Sequence, residues 1–252
     1  MTYCVALKLD RGLLFMSDTR TNAGVDNISV FPKMFTWETP GERVITLLTA
    51  GNLATTQSVV SLLDERTKAP EERSPSILEA PSMFKVACIV AATLKDTVAE
   101  HDNGAGQSAD AFGGTIILGG QIKGAEPRLF LIYPEGNFIE ACDETPFFQI
   151  GETKYGRPIL VRAFSPSLSF EDALKLLYVS FDSTIQANLS VGPPIDVQLI
   201  ENDTCAVKAR FRVDGDDETF AAVTDGWGAA MRDAFASLPR VTIPPSPGEA
   251  ES

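Results

Sequence analysis

Three residues near the start of the chain, Thr2, Asp18 and Lys33, are of the types that nucleophilic amide chemistry uses. Thr2 directly follows Met1. Threonine is small, so Met1 is expected to be clipped, with no signal peptide or propeptide ahead of it. Clipping would leave a free α-amine beside the Thr2 hydroxyl, a nucleophile and a base on one residue. The Oγ attacks a carbonyl while the amine takes its proton. An α-amine titrates near about 7.7–8.0, far better matched to that work than a lysine.

Local geometry brings an acid toward this residue. Residues 2–9 alternate well enough for a strand, and the DRG at 10–12 turns it into LLFMS. Antiparallel partners then have numbers summing to about 21–23, which sets Thr2 across from residues near 19–21 and Asp18 one or two positions away. A carboxylate at the end of that returning strand is costly to bury unless paired. Lys33, in VFPKMFT, is the nearest downstream cation able to enter an apolar segment. It would stabilise negative charge and depress the pKa of a neighbouring amine, and Asp18 would hold it by a charge-assisted hydrogen bond. Each residue also has a bland reading: Thr2 as the first residue of an edge strand, Asp18 as a turn residue, Lys33 as a surface charge.

Composition narrows the alternatives. The 252 residues allow one large domain or two small ones, and 44% hydrophobic and 22% charged side chains are ordinary for a globular protein. A net charge of −13 argues against nucleic acid and against anionic membrane surfaces. No apolar run approaches the roughly 20 residues of a membrane span. His101 is the sole histidine, which excludes a multi-histidine metal site and leaves histidine-based catalysis one residue to stand on. It is expected to be solvated at the polar end of a helix. Cys4, Cys88, Cys142 and Cys205 are widely spaced and read as small buried thiols in a reducing cytoplasm. No cofactor is expected.

The elements that must position these residues follow from periodicity. Strands are predicted at 2–9, 13–17 and 44–51, helices at 52–66 and 82–101, and then a Gly/Ser-rich loop. A second hairpin spans 115–124 and 126–137, with a strand at 138–142. Helical patterns cover 152–163 and 170–189, strands 195–202 and 206–213, and a last helix 224–238. Two helix pairs and several hairpins suit an α+β fold of four layers, αββα, with two antiparallel sheets. Residues 1–240 are expected to form a single domain, and 241–252 a mobile, acidic, proline-bearing tail.

Taken jointly, TYCV, SDTRT with Asp18, the lysine of FPKMF and TAGNL at 49–53 resemble the proteasome β-type fold of N-terminal nucleophile hydrolases. SDTRTNAGVDNIS and NLSVGPPIDV resemble more specifically the bacterial proteasome-like family called Anbu, the ancestral β subunit. The resemblance spans roughly 2–235. It implies the αββα fold, self-assembly into a homo-oligomeric ring or open spiral, and threonine-dependent hydrolysis of peptide or amide substrates. It also implies roles: Thr2 as nucleophile, Asp18 as buried acid and Lys33 as the lysine. Thr21 is then the position whose backbone pairs with an extended peptide, Gly51 the backbone N–H of the oxyanion hole, and Ser190 the later accessory serine. A glycine at 51 would let a substrate carbonyl approach closely.

Two positions depart from the family pattern. IGETKYG at 150–156 sets Glu152 or Thr153 where a serine is usual, and Ala187 stands where an acid usually precedes Ser190. Asn188 and Asp182 are the candidates to compensate. Activity is therefore expected to be weak or narrow. Alternatives are a self-assembling structural or binding particle of the same fold, and a small-molecule acylase. An ATP-driven unfolding partner is not readable from the chain, which has no G-x-x-x-x-G-K-[ST] loop of its own.

Overall fold

The computed structural model describes residues 2–22, 28–69, 71, 73–101 and 112–243. In chain order the strands and helices are β1 (Tyr3–Leu9), β2 (Gly12–Asp18), β3 (Arg20–Asn22), β4 (Ile28–Val30), β5 (Met34–Thr39), β6 (Arg43–Gly51), α1 (Leu53–Lys68) and α2 (Met83–His101). They continue as β7 (Gly114–Ile122), β8 (Arg128–Ile132), β9 (Phe138–Glu140), β10 (Phe147–Gly151), α3 (Arg157–Ala163), α4 (Phe170–Ala187), β11 (Ile195–Glu201), β12 (Val207–Val213) and α5 (Glu218–Ser237). The strands form two five-stranded antiparallel sheets, β10-β1-β2-β11-β12 and β5-β6-β7-β8-β9, plus the small β3–β4 hairpin. The Gly/Ser-rich loop at 102–111 and the tail beyond 243 lie outside the described residues.

The central strands are buried on both faces, which is why their sequences run nearly continuously apolar. Along β1, Tyr3, Val5 and Leu7 face Leu160 of α3 and Leu177 and Phe181 of α4. The intervening Cys4 and Ala6 face the second sheet, meeting Leu48 and Ile117. On that sheet's far side, Ile45, Leu47 and Leu118 pack on Val59 and Leu63 of α1 and Val86 and Val90 of α2. Each fully buried side chain of this size contributes about 1.5–3 kcal/mol. A polar link through the middle runs from Gln198 on β11, which donates to Thr46 Oγ1 on β6 at 2.6 Å and accepts from Thr36 Oγ1 at 2.8 Å.

Helix starts are locally encoded. Asn52 accepts from the Thr55 N–H at the head of α1, Ser169 from Asp172 in α4, and Asp217 from Phe220 in α5. Two expected helix starts are corrected. α3 begins at 157 rather than 152, and α5 begins at 218 rather than 224 because Asp217 caps it. β3, β4, β5 and β10 are absent from the strands predicted by periodicity. Cys4 and Cys205 are buried as expected, whereas Cys88 is half-buried and Cys142 exposed. His101 ends α2, but its ring is half-buried: Nδ1 lies 3.1 Å from Thr55 Oγ1, and Phe112 packs edge-on against the ring.

Candidate active site

The β1–β2 register settles where Thr2 stands. Partner numbers sum to 21, from Cys4 opposite Ser17 to Leu9 opposite Gly12. β1 is also flanked on its other side by β10, with Tyr3 opposite Gly151. Thr2 therefore precedes an interior strand and not an edge. Its carbonyl accepts the Glu152 N–H at 2.6 Å, closing the ladder over Thr2 itself.

Asp18 lies beside it as the register requires. Its Oδ1 accepts both the Tyr3 N–H at 2.9 Å and Lys33 Nζ at 2.7 Å. Lys33 gives a second hydrogen bond, also 2.7 Å, to the Arg20 carbonyl. The Asp18 side chain is fully buried and that of Lys33 only 5% exposed, so the ion pair is dry. Burial pushes the Asp18 carboxyl above its ordinary value; the Lys33 ammonium and the Tyr3 and Gly192 N–H groups offset part of that rise. Asp18 Oδ2 has no partner of good hydrogen-bond geometry among the described residues. Burial likewise pushes up the neighbouring Cys4 thiol, which is inert as a nucleophile there.

Gly51 reaches the same corner from the other sheet. The Lys33 carbonyl accepts the Thr49 N–H at 2.9 Å, two residues before Gly51, and Cys4 Sγ lies 3.8 Å from the Thr49 carbonyl. Gly51 has φ +111°, and a Cβ there would sit 2.4 Å from the Gly113 carbonyl oxygen. Its own backbone and the start of β7 already demand a glycine here. Thr21 lies opposite Ser29 in the β3–β4 hairpin, one residue after the carbonyl that Lys33 grips, with Oγ1 buried and without a partner among the described residues.

Ser190 joins through a relay. Its N–H donates to Asn188 Oδ1 at 3.0 Å, Asn188 Nδ2 donates to Glu152 Oε2 at 3.2 Å, and the Glu152 N–H holds Thr2. Of the two candidates to compensate for Ala187, Asn188 takes part; Asp182 instead bonds Gln186 on its own helix. Between Glu152 and Thr153, the buried Glu152 makes these contacts. Sequence reasoning missed Gly151 and the network that anchors Tyr3. The Tyr3 hydroxyl lies 2.7 Å from Ser180 Oγ and accepts from Gln149 Nε2 at 2.6 Å, and burial pushes its pKa up to about 12. A signal for both was present: IGETKYG carries two glycines, and a Cβ on Gly151 would meet the Thr2 carbonyl while one on Gly156 would meet the Tyr3 hydroxyl.

Solved structures resemble this chain over nearly its whole length. Anbu from Hyphomicrobium sp. strain MC1 is 47% identical over 96% of this chain and all of its own, with a TM-score of 0.88. Anbu from Yersinia bercovieri is 43% identical over the same shares, with a TM-score of 0.89. The chain belongs to the Anbu family. A helical assembly of the Anbu complex from Pseudomonas aeruginosa also matches, at 43% identity over 97% of this chain and 98% of that one, with a TM-score of 0.87. No protein-family model and no curated protein matches the chain. Anbu being the ancestral β subunit, the family is proteasome-like. Among the described residues no helix is long and apolar enough to cross a membrane.

Proposed function

We propose that this Anbu chain is a threonine-type N-terminal nucleophile hydrolase of peptide or amide bonds, working as one subunit of a self-assembled ring or spiral. The fold it would use is the four-layer αββα sandwich, a reading supported by the three alternating apolar cores. Residues 1–240 act as a single domain with 241–252 as its tail, and four free cysteines support a cytoplasmic setting. The observation that carries the reading is the shared Asp18 Oδ1, which ties a dry lysine to the peptide bond between Thr2 and Tyr3.

After Met1 is removed, Thr2 Oγ attacks the substrate carbonyl and passes its proton to the Thr2 α-amine. The Lys33 ammonium, anchored by Asp18, keeps that amine's pKa low enough to act as a base and stabilises negative charge as it develops. The Gly51 N–H receives the oxyanion, and the Thr21 backbone aligns the extended substrate, with Ser190 on the accessory side. Thr2→Ala should abolish hydrolysis of activated amides or esters and covalent labelling by an electrophilic threonine trap, while assembly survives. Unchanged turnover overturns the mechanism, and the intact mass reports whether Met1 is lost.

The second reading is a self-assembling structural or binding particle with little chemistry. Ala187, standing where an acid is expected, and Glu152 or Thr153, standing where a serine is, favour it. A mature chain that keeps Met1 and ignores the trap would decide for it, because the Thr2 nitrogen is then locked in a peptide bond.

A further inference from the structure

We infer that the Glu152 carboxylate, steered by Asn188, is the counter-charge of the freed Thr2 α-amine and takes over the work of the missing serine and acid. This rests on the hydrolase reading for its purpose, but not for its test.

Glu152 is only 5% exposed. Its two carboxylate oxygens receive one neutral donor each, the Lys154 N–H on Oε1 at 3.0 Å and Asn188 Nδ2 on Oε2 at 3.2 Å. Among the described residues no basic side chain lies within ion-pair distance of it. A buried carboxylate without a cation is costly, and removing Met1 creates a cation next to it. The Glu152 main chain is clamped to Thr2 by its 2.6 Å bond to the Thr2 carbonyl. The preceding Gly151 packs so closely that a Cβ there would lie 3.1 Å from Thr2 Cβ. The amine nitrogen is two bonds from that clamped carbonyl carbon, about 2.5 Å away. The register that pairs Tyr3 with Gly151 sets Glu152 directly across from Thr2.

The other ionisable groups around this corner are committed elsewhere. Asp18 and Lys33 hold each other, and Arg20 donates to the Leu189 carbonyl. Asp182 bonds Gln186, Tyr3 bonds Ser180 and Gln149, and the Cys4 thiol is held neutral by burial. Asp18 keeps one oxygen unpaired but already has its cation in Lys33, whereas Glu152 has none among the described residues. When Thr2 Oγ gives up its proton, the amine becomes an ammonium, and Glu152 stabilises that charge until the proton passes to the leaving amine. Asn188 keeps the carboxylate turned inward, and the Ser190 N–H fixes the Asn188 amide through its Oδ1.

The test titrates the α-amine directly. Protein with Thr2 exposed by cleavage of a removable N-terminal fusion is labelled with acetic anhydride across a pH series, and N-terminal peptide mass spectrometry reads the rate. In E152Q the amine midpoint should fall by about one pH unit relative to wild type, since an opposing charge nearby raises an amine's pKa by about one unit or more. E152D should fall by less, and it serves as the readout if E152Q does not fold. The acid limb of kcat/KM on an activated ester should move the same way, with KM nearly unchanged. Coincident midpoints in folded wild type and variant overturn the inference. If the midpoint shifts but wild type has no turnover, the hydrolase reading fails and the charge pairing stands. If Thr2→Ala abolishes turnover while the midpoint stays put, the reverse holds.

Discussion

Lys33 Nζ lies 2.7 Å from Asp18 Oδ1, and the same oxygen takes the N–H of the residue that follows Thr2. Neither charge has water to fall back on. Lys33→Met keeps the length of the side chain but leaves a fully buried carboxylate alone, which should cost about 3 kcal/mol at neutral pH. Urea unfolding measures it. The loss should shrink in acid, where the orphaned Asp18 carboxyl takes up a proton, and turnover should vanish at every pH.

Asp18→Asn should behave differently, and the sign follows from the direction of its pKa. Burial raises the folded carboxyl above its ordinary 3.8, so between that value and the folded pKa the native state binds more protons than the unfolded chain. Its contribution to stability is then fully present below 3.8 and is lost as pH rises through the folded pKa. The asparagine variant lacks this titration. Wild type and variant should therefore be about equally stable in acid, with the variant gaining on wild type as pH rises, though it hydrolyses nothing. A variant that loses stability relative to wild type as pH rises would contradict the burial-dominated shift. The comparison needs only unfolding curves at several pH values, because the other carboxylates cancel in the difference.

The parts of this site that a reader of the sequence can find are those joined by short chain separations. A two-residue turn, Asp10–Arg11, fixes the β1–β2 register, so Asp18 falls beside Thr2 without any knowledge of the second sheet. Lys33 can be suspected, but its docking depends on β5, a half-exposed strand whose MFTWET does not alternate cleanly. The relay from Thr2 to Ser190 is less legible still. It forms where the end of β10 meets Asn188, the C-cap of α4, 36 positions apart in the chain. Nothing local in ETK or ANL announces that meeting. The positive φ of Gly51 and its contact with Gly113 are not legible in TAGN either, since they depend on the pairing of β6 with β7.

Gly151 offers a sharper probe of Thr2 placement than any polar residue. It has φ +82°, and an added Cβ would fall 2.0 Å from the Thr2 carbonyl oxygen. Gly151→Ala cannot be absorbed by a rotamer change, because the obstructing atom is backbone. It should cost about 1–3 kcal/mol and displace Thr2 from the Asp18–Lys33 pair. Trap labelling should fall at least tenfold while the circular dichroism spectrum is retained. A fully active alanine variant would mean that Thr2 tolerates a shift larger than the hydrogen-bonded ladder suggests.

The last helix bears on assembly. α5 contains no buried residue, and Met231, Phe235 and Leu238 are 48%, 78% and 63% exposed. Beside it, Pro158, Leu176 and Trp227 help to line an apolar groove of about 610 Å³ between α3, α4 and α5. So much uncovered apolar surface on a chain of net charge −13 is out of keeping with an isolated monomer. Phe235→Glu combined with Leu238→Glu places two charges on that face without touching either sheet. Light scattering should then show the particle mass collapsing toward one or a few chains, with the thermal midpoint of the sandwich little changed. Because Thr2 precedes β1 and the two substitutions lie at the end of α5, trap labelling of the dissociated subunits separates two roles for assembly. Labelling that persists makes the oligomer a container around sites already complete in each subunit. Labelling that disappears makes contact between subunits a requirement for a competent Thr2.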